Sequence, residues 1–177
     1  MSTKPRQDLH VAPLDGYAPS IGRALWMLED TRNDTGRILD GIAPEVIDWQ
    51  PPNGNSIGTL LYHIALIEMD WLFNEVMEAK MSATVWDAFP FSVRGADDRL
   101  TVVTGVSLDA HFKRLDSTRR LVLDTFKDMT LDEFHRPRPL ELYDVTPEWV
   151  IHHLVLHETE HRGEIGTIRT LAEVTLK

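Results

Sequence analysis

Apolar side chains recur at intervals of three and four along most of this chain, a period that fits α-helices and not strands. Ile21, Leu25, Leu28, Thr35, Leu39 and Ile42 trace one such stripe, opened by Pro19 and closed by Gly41 and Pro44. The turn-rich WQPPNGN follows, and Asn55 or Ser56 then caps a second helix carrying Ile57, Leu60, Leu61, Ile64, Ile67 and Trp71. Ser107 opens a third, with Leu108, Phe112, Leu115, Val122 and Phe126 inward. Thr146-Pro147 starts a fourth, a capping hydroxyl followed by a proline preset for the first turn, and the pattern runs to about Glu173. Between the second and third helices lies a long irregular stretch, 81–106, whose Thr101, Val102 and Val103 are too isolated to imply a sheet. Four amphipathic helices of roughly 20 to 28 residues, without a strand pattern or internal repeat, predict an all-α four-helix bundle with a long crossover connection. Residues 1–16, with Pro5 and Pro13, read as an N-terminal arm, and 17–177 as one domain long enough to bury a core.

Charge and composition narrow the function. With 28 acidic and 18 basic side chains, the net charge of −10 argues against nucleic acid or an anionic membrane as partner. No apolar run approaches the roughly 20 residues of a membrane span, and MSTKPRQDLH lacks the apolar core of a signal peptide, so a cytoplasmic location is expected. The chain has no cysteine. Disulfides, thiolate catalysis and cysteine-based zinc sites are thereby excluded. Any metal rests on histidine and carboxylate, and thiol chemistry would need a thiol brought in as cosubstrate.

His153, His157 and His161 stand four residues apart in HHLVLHETEH, so each lies one helical turn, about 6 Å, from the next. On a helical wheel His157 and His161 share the arc of Val150, Leu154, Ile165, Ile168 and Ala172. His153 falls on its flank beside Glu164 and Leu171, and His152 points away. Imidazoles inside an apolar stripe need polar partners, and an H-x-x-x-H pair can close on one metal ion or hydrogen-bond within the core. Two imidazoles make too weak and open a site; His63, on the edge of the second stripe, is the candidate third ligand. Three neutral imidazoles with open positions suit zinc, nickel or another divalent transition metal. His152 and His111 read as surface residues, His10 and His135 as loop residues.

Charged residues also fall in apolar arcs: Arg32 in the first helix, Glu68 in the second, Arg119 in the third. Either arginine can pair with Glu68 as a buried bridge or snorkel outward; alternatively these groups line a polar cavity beside the metal and meet an anionic substrate. Glu158, Glu160 and Glu164 can orient an imidazole as hydrogen-bond acceptors or belong to solvated faces. HETEH matches the H-E-x-x-H spacing of zinc proteases, with Glu158 in the place of the general base. A small bundle without strands to hold a peptide, and a third histidine upstream, speak against that chemistry.

The segment LLYHIALIEMDWL, with His63, Glu68 and Trp71, followed far downstream by HETEHRGEIGTIR, resembles the DinB/YfiT-like metal-dependent family. The likeness covers nearly the whole chain from about residue 17. It implies a four-helix bundle with a crossed connection, often a homodimer. It also implies a divalent metal on His63, His157 and His161, with His153 as a neighbour and not a ligand. Characterised relatives include bacillithiol S-transferases and mycothiol-dependent isomerases, in which the metal activates a low-molecular-weight thiol. The implied function is a metal-dependent thiol S-transferase acting on a small electrophile, with Arg32, Arg119 or Arg162 placed to meet a carboxylate. Metal-assisted hydrolysis with Glu158 or Glu68 as base is the alternative enzyme, and a non-catalytic metal-binding stress or ligand-binding protein is the alternative outside catalysis.

Overall fold

The computed structural model describes residues 9–177, and the first eight residues of the N-terminal arm lie outside the described residues. Its long helices are α1 (Pro19–Arg37), α3 (Ile57–Trp71), α5 (Leu108–Lys127) and α7 (Pro147–Thr175). Shorter helices are α2 (Pro44–Asp48), α4 (Ala83–Trp86) and α6 (Leu131–His135), and a π-helical turn, Leu72–Val76, continues α3. The expected caps form: Ser56, Ser107 and Thr146 accept the backbone N–H groups of Thr59, Ala110 and Trp149. α1 stops at Arg37, and a turn carries the chain to Gly41, whose φ of 67° suits glycine. The HRPRP segment departs from the all-helical expectation, because Arg138–Pro139 (β1) pairs antiparallel with Asp144–Val145 (β2). Two-residue strands are too short to leave a period-two signature. Among the described residues no helix is long and apolar enough to cross a membrane.

Contacts across the bundle fix its topology. α1 packs on α7, α7 on α3, and α3 on α5. Arg162 reaches Asp34 and Arg169 reaches the Ile38 carbonyl, so α1 and α7 run parallel. Asn55 meets Glu164 while Trp71 meets Trp149, so α3 and α7 run antiparallel. Gly58 lies against His111 and Glu68 against Arg119, so α3 and α5 are parallel. Parallel neighbours require a connection that returns along the bundle, and this is the work of the long stretch between α3 and α5. That crossover is fastened to α3. Tyr62 Oη donates to the Phe91 carbonyl and accepts from its N–H, and Val103 N–H donates to Thr59 Oγ1.

At the centre each long helix contributes one charge. Arg32 Nε lies 2.7 Å from Glu158 Oε1, and Arg32 Nη2 lies 2.7 Å from Glu68 Oε2. Arg119 Nε lies 2.8 Å from Glu68 Oε1, and Arg119 Nη2 lies 3.2 Å from Glu158 Oε2. Further guanidinium protons go to the carbonyls of Leu115 and Leu28 and to Glu29. The bridge between the arginines and Glu68 is thus present, and Glu158 completes a buried quartet, with Glu29 at its rim 2.6 Å from Arg119 Nη1. Burial alone would raise the Glu68 carboxyl pKa, but Arg119 and Arg32 overcome that and hold it below the ordinary value. Removing one partner strands a buried charge, so Glu158→Ala should cost about 3–5 kcal/mol in urea denaturation. A loss under about 1 kcal/mol, as for a surface pair, would show that the quartet does not lock the bundle. For Glu68 the sign is that of a depressed carboxyl. Its stabilisation is full above its unfolded value of 4.5 and is lost as pH falls through the lower folded value.

His111 corrects the sequence reading, which placed it on the surface. It is 1% exposed. Its spacing from Leu115, Thr118 and Val122 continues the buried face of α5, and Gly58 on α3 leaves the space its ring fills. A Cβ at Gly58 would stand 3.1 Å from His111 Nε2. Burial first, then the charge of Arg114, lowers the imidazole pKa to about 4, with Asp48 opposing. Because the folded value lies below the unfolded 6.5, the unfolded chain takes up the proton first. Stability therefore falls as pH drops from about 6.5 to about 4. In His111→Asn the pH dependence of urea unfolding over that window should flatten by one proton; an unchanged slope would show that His111 is charged in the fold. His152 is exposed as expected, His10 lies in coil before α1, and His135 ends α6 and not a loop.

Candidate metal centre

α7 carries His157 and His161 one turn apart, and α3 brings His63 against them. The Nε2 atoms of His63 and His157 face each other at 3.1 Å. One ligating nitrogen from each of His63, His157 and His161 lies within 4.8 Å of the others. His63 is 8% exposed although its place on the wheel is an edge. The reason is that every residue of α3 from Ser56 to Leu66 is buried, so this helix has no solvent side there.

The donor chemistry fits a divalent ion. Burial, reinforced by His161 and Arg94, lowers the His63 pKa to about 4, and burial with its three histidine neighbours lowers that of His157 to about 3. Both rings are therefore neutral at neutral pH, the form in which imidazole ligates. Two neutral Nε2 atoms at 3.1 Å share one proton between them, and a cation can take that proton's place. Glu164 Oε2 lies 3.1 Å from His161 Nδ1, and its other oxygen accepts a 3.1 Å hydrogen bond from Asn55 Nδ2. Asn55 and Glu164 so orient the His161 ring and leave its Nε2 free to ligate.

The other candidate residues lie elsewhere. Glu68, Glu158, Arg32 and Arg119 belong to the central quartet, where both carboxylates have both oxygens engaged by guanidinium groups. The literal H-E-x-x-H match therefore supplies no free base. Arg162 pairs with Asp34 at 2.9 Å. His153 stacks on Trp149 with centroids 5.2 Å apart and lies 4.3 Å from Trp71, a neighbour of His157 at 5.9 Å. Of the glutamates flanking the histidines, Glu164 is the one that orients a ring; Glu160 is exposed.

Above the triad opens a cleft of about 470 Å³, lined also by Asn53, Asn55, Arg94, Asp98, Arg99 and Leu100. Sequence reasoning did not single out Asn53 or any residue of the crossover. The available signal was the length of the 81–106 connection, since long loops in compact domains are commonly functional.

The family model of the DinB superfamily matches residues 27–165. The chain belongs to the DinB superfamily. The crystal structure of a conserved protein from Enterococcus faecalis superposes with a TM-score of 0.65 at 13% sequence identity, covering 84% of this chain and 94% of that one. At that identity the likeness speaks for the fold alone. Among curated proteins none matches this DinB-superfamily chain.

Elemental analysis of the purified protein should find about one divalent ion per chain, lost in the His157→Ala/His161→Ala double variant. Glu164→Gln should weaken the ion's affinity by about 10–100-fold, as expected for loss of an orienting carboxylate. Metal retained by the double variant would place the ion elsewhere.

Proposed function

We propose that this DinB-superfamily protein is a metal-dependent thiol S-transferase, with zinc or nickel held by His63, His157 and His161. The observation that carries the reading is a three-imidazole donor set facing an open cleft, with Glu68 and Glu158, the two carboxylates offered as bases, locked in ion pairs. A bound divalent ion supplies Lewis acidity that lowers the pKa of a thiol reaching its open side. Hydrolysis would instead call on a carboxylate to move protons to and from water and the leaving group.

The chain's own residues then do three things. His63, His157 and His161 would hold the ion at the seam between α3 and α7, beside the cleft. Glu164 and Asn55 keep His161 from turning away. The open cleft passes the thiol proton to bulk water, after which the sulfur lone pair forms the new C–S bond as the leaving group departs with its bonding electrons. No protein cysteine competes for the electrophile, because the chain has none.

With 1-chloro-2,4-dinitrobenzene as electrophile and a panel of low-molecular-weight thiols, the metal-loaded protein should release chloride and the thioether together. The rate should fall to the uncatalysed level in His157→Ala/His161→Ala. Ester or amide hydrolysis without added thiol would favour a hydrolase, and no turnover of either kind would leave a binding protein.

A further inference from the structure

We propose that the cleft over the three histidines selects a thiol that carries a carboxylate, and that Arg94 and Arg99 of the crossover are the residues that recognise it. This rests on the metal reading above and names the substrate class of the same site.

The two arginines are held over the cleft by a turn with its own backbone bonds. Arg94 and Leu100 form an antiparallel bridge, Gly95 N–H donates to the Arg99 carbonyl at 2.9 Å, and Thr101 N–H donates to Val93 at 3.2 Å. Asp98 closes the turn in the left-handed region, with φ 62°. Both guanidinium-bearing residues line the space above His63, His157 and His161. Arg94 is near enough that its charge contributes to depressing the His63 imidazole.

The charges that line this space do not cancel, two guanidiniums facing the one carboxylate of Asp98, while Glu164 stands behind the His161 ring, engaged by it and by Asn55. Asp98 Oδ1 stands 3.8 Å from Arg94 Nε and offsets one guanidinium. Among the described residues Arg99 has no carboxylate partner, and Asp97 is turned to its backbone N–H instead. The three imidazoles contribute no negative charge, so a divalent ion on them would add to the positive side. A chain of net charge −10 thus places its candidate metal beneath an uncompensated guanidinium. A carboxylate answers that field and accepts two parallel N–H bonds from one guanidinium, a geometry an ammonium cannot offer and a hydroxyl cannot match. Asn53 and Asn55, which also line the cleft, are polar without adding charge. A thiol that also bears a carboxylate brings a group for each of these features.

Cobalt(II)-loaded protein tests this through the near-ultraviolet sulfur-to-cobalt charge-transfer band, titrated at low salt with 3-mercaptopropionate, 2-mercaptoethanol and cysteamine. The acid should bind about tenfold tighter than the alcohol, as for a charge-assisted contact, and cysteamine weakest. That order runs against intrinsic thiol acidity, because an ammonium acidifies its thiol and a carboxylate does the reverse. In the Arg94→Gln/Arg99→Gln variant, still loaded with cobalt, the acid's advantage should vanish; high salt should shrink it in the wild type. Equal affinities in the wild type, or an advantage that survives in the variant, overturn the assignment while leaving the metal reading intact. Failure to take up cobalt overturns the metal reading and this inference with it. Uptake without a sulfur band for any thiol overturns the thiol reading and this inference together.

Discussion

The buried quartet of Arg32, Glu68, Arg119 and Glu158 is the constraint on which the rest of this structure depends. One charge comes from each long helix, and all four are satisfied only in one combination of helix rotation and axial offset. Glu158 directly follows His157, and Glu68 lies little more than a turn beyond His63. Fixing the carboxylates against the arginines therefore fixes the imidazoles as well. On α3 and α7 alike the carboxylate turns to the bundle axis, and the imidazole turns to the seam between the two helices. The 3.1 Å approach of His63 to His157 is a consequence of the same register.

Stability alone gives a poor reason for such a quartet. Taking four charges out of water is costly, and well-packed apolar side chains of similar volume commonly hold a core as well or better. What an apolar core lacks is intolerance of sliding, since apolar contacts change little when a helix slips by a fraction of a turn. A charged quartet with further protons on the Leu28 and Leu115 carbonyls loses several hydrogen bonds on the same slip. The parallel pairing of α3 and α5 adds to the need for such a lock, because it is imposed by a long crossover and not by a tight turn. The Tyr62–Phe91 and Thr59–Val103 bonds extend the register from the helices to the loop that roofs the cleft.

The sequence was most legible where local chemistry decides structure. Ser56, Ser107 and Thr146-Pro147 start helices because a capping oxygen and a preset φ act within a single turn. The wheel found His157 and His161 and set His153 aside, since rotation along one helix needs no knowledge of its neighbours. It failed where a second helix decides. His63 sat at an edge that does not exist on a helix buried all round; His111 was misread although it stands one turn before Leu115 on the inward face of α5, and only the space at Gly58 on α3 explains how that face holds an imidazole. Glu158 illustrates the same point, for α7 buries a flank against α1 as well as one against α3, and an arc centred on the histidines misses the first. Arg94 and Arg99 were out of reach of any periodicity, because a turn that folds over a distant helix pair leaves none.

Electrostatics links these parts to chemistry. A protein with ten more acidic than basic side chains would be expected to surround a cation site with carboxylates. Here Glu68 and Glu158 are neutralised in the core, and Glu164 stands behind His161, turned to its Nδ1. Burial keeps His63 and His157 neutral, so these two rings contribute no charge. The charge of an ion at such a site is left to be answered from the open side, by whatever enters the cleft. A thiol would meet that demand by ionising, as a water on the same ion also would. The same arrangement that locks the bundle thus withholds Glu68 and Glu158 from acting as bases at the cleft.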